Sequence, residues 1–103
     1  MTPYIYIQNF RNELGGFDKP INPIIFCTML ANKFNGEMFV MLDEEMLVDI
    51  VVKIKDKYYD ADGIVDEESL DMHDFIKYDK LSVLYDTSAY NQIKWWFLLE
   101  EKI

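Results

Sequence analysis

A second cysteine is missing from this chain of 103 residues, so Cys27 has no partner for an internal disulfide. A lone thiol fits a reducing cytosol better than a secreted setting, and a cytoplasmic location is the expectation. Long apolar runs are missing too: the longest fall far short of the roughly 20 residues a membrane helix needs. No basic segment precedes such a run, so neither a membrane span nor a signal peptide is expected. There is no repeat, low-complexity tract or linker. Positive charge is scarce, with 10 Lys and Arg against 19 Asp and Glu and a net charge of −9. A field of that sign repels nucleic acid and anionic lipid, which disfavours direct binding to either.

Apolar residues, in contrast, make up 50% of the chain and aromatics 16%, enough for one packed core without a metal, a cofactor or a disulfide. A single domain over residues 1–103 is expected. Its charge is unevenly placed. Residues 43 to 74 hold 12 acids against Lys53, Lys55 and Lys57, so the whole excess of negative charge lies in that segment.

Local signals outline an α+β fold. Thr2 followed by Pro3 reads as an N-cap with proline in the first turn; Tyr6, Phe10 and Leu14 then recur every four residues until Gly15 and Gly16. Asn22 and Pro23 repeat that start signal, and Phe26, Leu30 and Phe34, joined by Ile25 and Met29, predict a buried central helix ending near Gly36. A strand is expected over residues 38–42, with an acidic bend at Asp43, Glu44 and Glu45. A hairpin follows over residues 49–63, turning at Lys55, Asp56 and Lys57, with Ile50, Val52 and Ile54 facing the core and Val51, Lys53 and Lys55 on a partly wet face. Beyond it the pattern predicts a loop to about Glu68, a short helix over residues 70–78, a strand over 81–85 and a last helix capped by Thr87 or Ser88. The expected architecture is a small antiparallel sheet on a central buried helix, with additional N- and C-terminal helices.

The second helix and the hairpin together carry a resemblance. Asn22-Pro23 at a helix start, Asp49 at a strand start, and the run Tyr58, Tyr59, Asp60, Ala61, Asp62, Gly63 resemble the layout of small papain-like or transglutaminase-like cysteine hydrolases of phages and mobile elements. In that family a cysteine opens the helix, a histidine begins the strand, and a third polar residue orients the imidazole. The resemblance covers residues 22–63. Here Pro23 stands at the cysteine position and Asp49 at the histidine position, and only Asp60 keeps the pattern. Proline is no nucleophile and a carboxylate no imidazole, so the resemblance implies a pseudoenzyme with no catalytic residues.

Other chemistries find weaker footing. Cys27, set among Phe26, Met29 and Leu30, reads as an inert buried thiol, and His73 as a surface or partly buried histidine. Asp60, Asp62 and Gly63 imitate part of a calcium loop, but Tyr58 and Ser69 stand where that loop needs an acid and a glutamate. Turn formation explains these residues, and Asp66 adds no complete ligand set. No metal is expected.

The acidic segment is then either a solvated face or a docking surface. Its segregation favours docking: Asp43, Glu44, Glu45, Asp60, Asp62, Asp66, Glu67, Glu68 and Asp71 would meet Arg and Lys of a partner, with Tyr58 and Tyr59 beside Met46 and Met72 as apolar anchors. One of Trp95 and Trp96 would point outward, marking a homodimer contact or a second interface. The expected function is a phage-encoded, non-catalytic inhibitor in the bacterial cytoplasm, similar in character to anti-CRISPR and anti-restriction proteins. It would block a host nucleic-acid-handling protein, such as a nuclease, through its acidic surface. The alternatives are a small cysteine hydrolase using Cys27, with His73 or an unrecognised residue as base, or a virion assembly or structural protein.

Overall fold

The computed structural model describes residues 1–44 and 46–78. The expected strand at 81–85, the last helix, the Trp95 and Trp96 pair and Glu45 lie outside these residues.

Helix α1 (Pro3–Glu13) starts as its caps require: the Thr2 hydroxyl accepts the Ile5 N–H at 3.2 Å, and Pro3 needs no amide partner in the first turn. Its buried face differs from the Tyr6, Phe10, Leu14 column. Ile7 and Arg11 are the buried residues, and Leu14 is 49% exposed. At 3.6 residues per turn a strict four-residue column drifts around the helix, so Leu14 is carried off the face that Tyr6 and Phe10 share with the core. Helix α2 (Pro23–Phe34) begins at Asn22, whose side chain accepts from Ile24 and Ile25 N–H, and ends at Asn35 in the left-handed conformation. It lays Ile24, Phe26, Cys27 and Leu30 against the sheet, while Thr28, Asn32 and Lys33 are exposed and Met29, expected inward, is 39% exposed.

The five strands β1 (Glu37–Asp43), β2 (Met46–Ile54), β3 (Lys57–Asp60), β4 (Gly63–Ile64) and β5 (Asp74–Lys77) form an antiparallel sheet in the order β4-β3-β2-β1-β5. The fold is α+β. Ile50, Val52 and Ile54 join Val40, Leu42 and Tyr59 in the core beneath α1 and α2, as the alternation along β2 predicts. On the other face, Phe39, Tyr58 and Phe75 bring their rings together across the strands. Val51 and Met41 are also buried, so the centre of that face is dry rather than wet.

The segment after Gly63 is where the structure departs most from the expected pattern. Helix α3 (Glu67–Met72) begins three residues before Leu70, because Asp66 caps it by accepting the Glu68 N–H at 3.1 Å. It stops at His73, which is extended, and the rest of the expected helix is strand β5. Phe75 and Ile76 pair with Met41 and Val40 on β1, where alternation serves both side chains. Tertiary pairing overrides a helical reading that had only six α3 residues and no buried face to sustain it.

Candidate functional site

The strand register sorts charge by end. Strand β1 runs into the turn at Asp43 and Glu44 and β2 runs out of it; Asp74 lies opposite Leu42, and Asp49 opposite Met41. Asp60 and Asp62 flank the β3–β4 turn on the same side. At the far end lie Lys55 and Lys57 of the β2–β3 turn, Lys53 opposite Glu37, Lys33 in the last turn of α2, and Lys77 with its Nζ 3.9 Å from Glu37. Lys53, Lys55 and Lys57 thus lie at the other end of the sheet from Asp43, Asp49, Asp60 and Asp74, while Asp56 sits in their own turn and Glu67 lines a pocket with Lys57. Helix α3, with Asp66, Glu67, Glu68 and Asp71, joins the β4 edge to the β5 edge and so runs from the lysine end toward the acidic one.

A cleft of about 380 Å³ opens at the acidic end, lined among others by Pro23, Asp49, Asp60, Asp62, Lys19 and Arg11. It contains all three positions on which the resemblance to cysteine hydrolases rests. Pro23 opens α2, while Asp49 owes its place to an irregularity in the sheet. Met41 pairs with Asp49 but Leu42 pairs with Leu47, leaving Val48 as the extra residue of a bulge. Such a bulge bends the strand and re-aims the neighbouring side chain.

Asp49 is half-buried, and its Oδ1 accepts the N–H of Ile50 at 2.8 Å. Burial pushes its carboxyl up to about 8; the side-chain hydrogen bond to Asp60 and that residue's charge add to the rise, and the Ile50 amide opposes it. Asp49 and Asp60 thus meet across the cleft that both line, from neighbouring strands. Asp60 in turn accepts the Asp62 N–H at 2.8 Å, the side-chain-to-backbone turn expected of an Asp at this kind of corner.

Arg11 closes the back of the cleft. Its Nη2 donates to the carbonyls of Phe17 at 2.6 Å and Lys19 at 3.0 Å, its Nη1 donates to Ala61 at 3.3 Å, and Asp62 lies 4.0 Å from Nη1. The guanidinium also stands 5.2 Å from the Phe17 ring centroid. It is 4% exposed and ties α1, the α1–α2 loop and the β3–β4 turn together. Charge and periodicity did not single this residue out. The one available signal was its rarity, since it is the sole arginine beside nine lysines. A planar fork of fixed donors can serve three carbonyls where an ammonium cannot.

The surface set expected from sequence divides. Asp43, Glu44, Asp62, Asp66, Glu67, Glu68 and Asp71 are exposed, and Asp60 is half-buried in the cleft. Tyr59 leaves the set: it is 8% exposed and packs in the core opposite Val52. Adjacent strand residues face opposite ways, so Tyr58 and Tyr59 could not both be surface anchors. Tyr58 belongs to the aromatic cluster on the opposite face.

Cys27 is fully buried and donates to the Ile50 carbonyl at 3.4 Å. Desolvation pushes its thiol upward, and the charges of Asp49 and Asp60 push it further. His73 follows α3, its Nδ1 2.7 Å from the Ser69 carbonyl. Among the described residues no three His, Cys, Asp or Glu side chains converge as a metal site. None of their helices is long and apolar enough to cross a membrane. No family model, curated protein or solved structure matches the chain.

Proposed function

We propose that this protein is a non-catalytic binding protein that presents its acidic end to the basic surface of a nucleic-acid-handling protein and excludes that protein's natural substrate. The separation of carboxylates from lysines along the strands carries this reading. A surface made only for solubility gains nothing by sorting its charges to opposite ends, whereas a polarised one orients encounter with a cationic groove. Exposed Met46 and Met72, at 57% and 76%, provide adaptable apolar contact beside the acids. The cleft supports the non-catalytic part: it brings together Pro23, Asp49 and Asp60, and neither a proline nor a carboxylate can serve as thiol or imidazole. The buried, hydrogen-bonded thiol counts against Cys27 as a nucleophile in its own right. Phage origin and a defence nuclease as target complete the proposal, in the manner of small anti-defence inhibitors.

The test is affinity capture from bacterial lysate at low and high salt, followed by mass spectrometry of the retained proteins. Wild-type protein is expected to retain a nucleic-acid-handling protein with a basic groove. Reversing Asp43, Glu44 and Asp62 to lysine should weaken that association by about tenfold or more at low salt, with a smaller difference at high salt. Reversing Lys33, Lys55 and Lys57 to glutamate should leave it intact. Equal loss from both sets of substitutions would refute the acidic-end reading.

A further inference from the structure

The hairpin of β1 and β2 is paired to its last residues, Asp43 opposite Met46, while the strands on either side stop short of that tip. The β2–β3 ladder reaches only to Val52 opposite Tyr59, and the β1–β5 ladder ends at Leu42 opposite Asp74. The tip therefore stands beyond the neighbouring strands. It carries exposed Asp43 and Glu44, with Met46 at 57% and Val48 at 47% exposure beside them. At the far end of the same strands a groove of about 380 Å³ opens where α1 begins beside the β2–β3 turn. Pro3, Phe34, Ile54 and Tyr59 give it apolar walls, and exposed Lys55 and Lys57 stand among them. Asp56 is the one acid in that lining, and exposed Lys33 adjoins Phe34.

We propose that the acidic tip of the β1–β2 hairpin docks in this lysine-bearing groove of a second copy of the chain, so that copies add head to tail. The two surfaces complement each other in both charge and apolarity. Asp43 and Glu44 meet Lys55 and Lys57, while Met46 and Val48 leave water against Phe34 and Ile54. Tip and groove lie at opposite ends of the strands, so a copy whose tip is docked keeps its own groove open, and the copy that receives it keeps its tip open. Such a heterologous contact extends into rings or open chains rather than closing as a two-fold pair.

Net repulsion does not forbid the contact. The charge of −9 keeps copies apart at long range, but at physiological salt that field decays over about 8 Å, much less than the separation of two molecular centres. The groups that touch then decide, and there opposite charges surround an apolar contact. One tip in one groove is a small interface, which places the assembly among weak, concentration-dependent associations. Docking covers Asp43 and Glu44, the residues offered to a basic partner, so assembly and partner binding exclude each other at that end. Self-assembly needs no such partner and stands whether or not one exists.

Sedimentation equilibrium of the pure chain in physiological salt tests it, over a series from about 20 µM to about 1 mM. The weight-average mass should climb with concentration from 12.3 kDa to about twice that or more, without levelling at the dimer. Two double variants separate the surfaces, both at exposed positions and both checked for an intact fold by circular dichroism. Asp43→Lys with Glu44→Lys reverses the tip, and Lys55→Glu with Lys57→Glu reverses the groove. Each alone should stay at the monomer mass throughout the series. The tip variant is the stringent one, because it brings the net charge closer to zero, which would promote association if overall repulsion were in control. An equal mixture of the two should regain the concentration-dependent mass, since each variant's tip matches the other's groove. A wild-type chain that stays monomeric to about 1 mM overturns the proposal. So does a mass that levels at the dimer, an association that survives either double variant, or a mixture that stays monomeric.

Discussion

At the lysine end of the sheet, main chain does the holding. Ile54 and Lys57 close a two-residue turn in register, Lys55 takes the left-handed conformation at φ 59°, and Gly36 lets β1 begin hard against β2. At the acidic end the ladder between β2 and β3 stops early, β2 bulges at Val48, and the buried Arg11, bonded to three backbone carbonyls, supplies the cohesion. One end is closed by periodic bonds that almost any residues can make, the other by particular side chains. Substitutions should therefore be far less forgiving at the acidic end, except where backbone packing is tight.

The sharpest way to expose that difference is Arg11→Met. It leaves the carbonyls of Phe17, Lys19 and Ala61 without their donors and should cost about 3 kcal/mol or more in urea unfolding. Lys33→Met, at the other end, should stay within about 0.5 kcal/mol, being an exposed position. Equal costs would erase the distinction. Gly36→Ala probes the one place where the lysine end is intolerant. A Cβ there would stand 2.7 Å from Val52 Cγ1 and 2.8 Å from the Lys53 carbonyl, so β1 and β2 must shift, at about 1–3 kcal/mol in the same assay.

Asp49 separates the ends by pH. Its carboxyl is raised in the folded state, from 3.8 to about 8, so between those values the folded protein holds a proton that the unfolded chain has lost. That contribution to stability is fully present below about pH 4 and is lost as pH rises toward 8. Asp49→Asn should flatten this decline and stabilise the protein at pH 8 by on the order of 2 kcal/mol, allowing for partial solvent screening. Unfolding free energies at a series of pH values would show whether the slopes of wild type and variant differ. The smallest expected effect is at the turns. Glu44 and Lys55 both have positive φ, and replacing either with Asn should stabilise by a few tenths of a kcal/mol, measured as a small rise in urea midpoint. A clear loss at Glu44 alone would show that its side chain bears on the acidic end beyond its charge.

Much of the lysine end was legible from residue order, for the same reason that it is robust. Alternation of Ile50, Val52 and Ile54, the cap at Thr2 and a polar turn at Lys55 and Asp56 are local features, and local features survive folding unchanged; the Asn22 cap beside the acidic cleft was legible for the same reason. The acidic end was legible only as an excess of carboxylates. The sequence placed Lys53, Lys55 and Lys57 in the midst of those acids, and the strand reversals moved them away. Strand β5 escaped notice because its pairing partner, β1, lies over 30 residues earlier in the chain, and Tyr59 was assigned to the surface because its burial depends on Val52 across the hairpin.

By itself, then, the amino-acid sequence determined the two helix starts, the β2–β3 hairpin, the α+β class and a net charge of −9, since each depends on residues close in the chain or on composition alone. Only the tertiary structure decided that Lys53, Lys55 and Lys57 lie at the other end of the sheet from Asp43, Asp49, Asp60 and Asp74, that Arg11 clamps three segments, and that burial beside Asp60 raises the Asp49 carboxyl. Those outcomes depend on distance, burial and shared hydrogen bonds between residues far apart in sequence. They come into being only when the strands pair and water is excluded from the space between them.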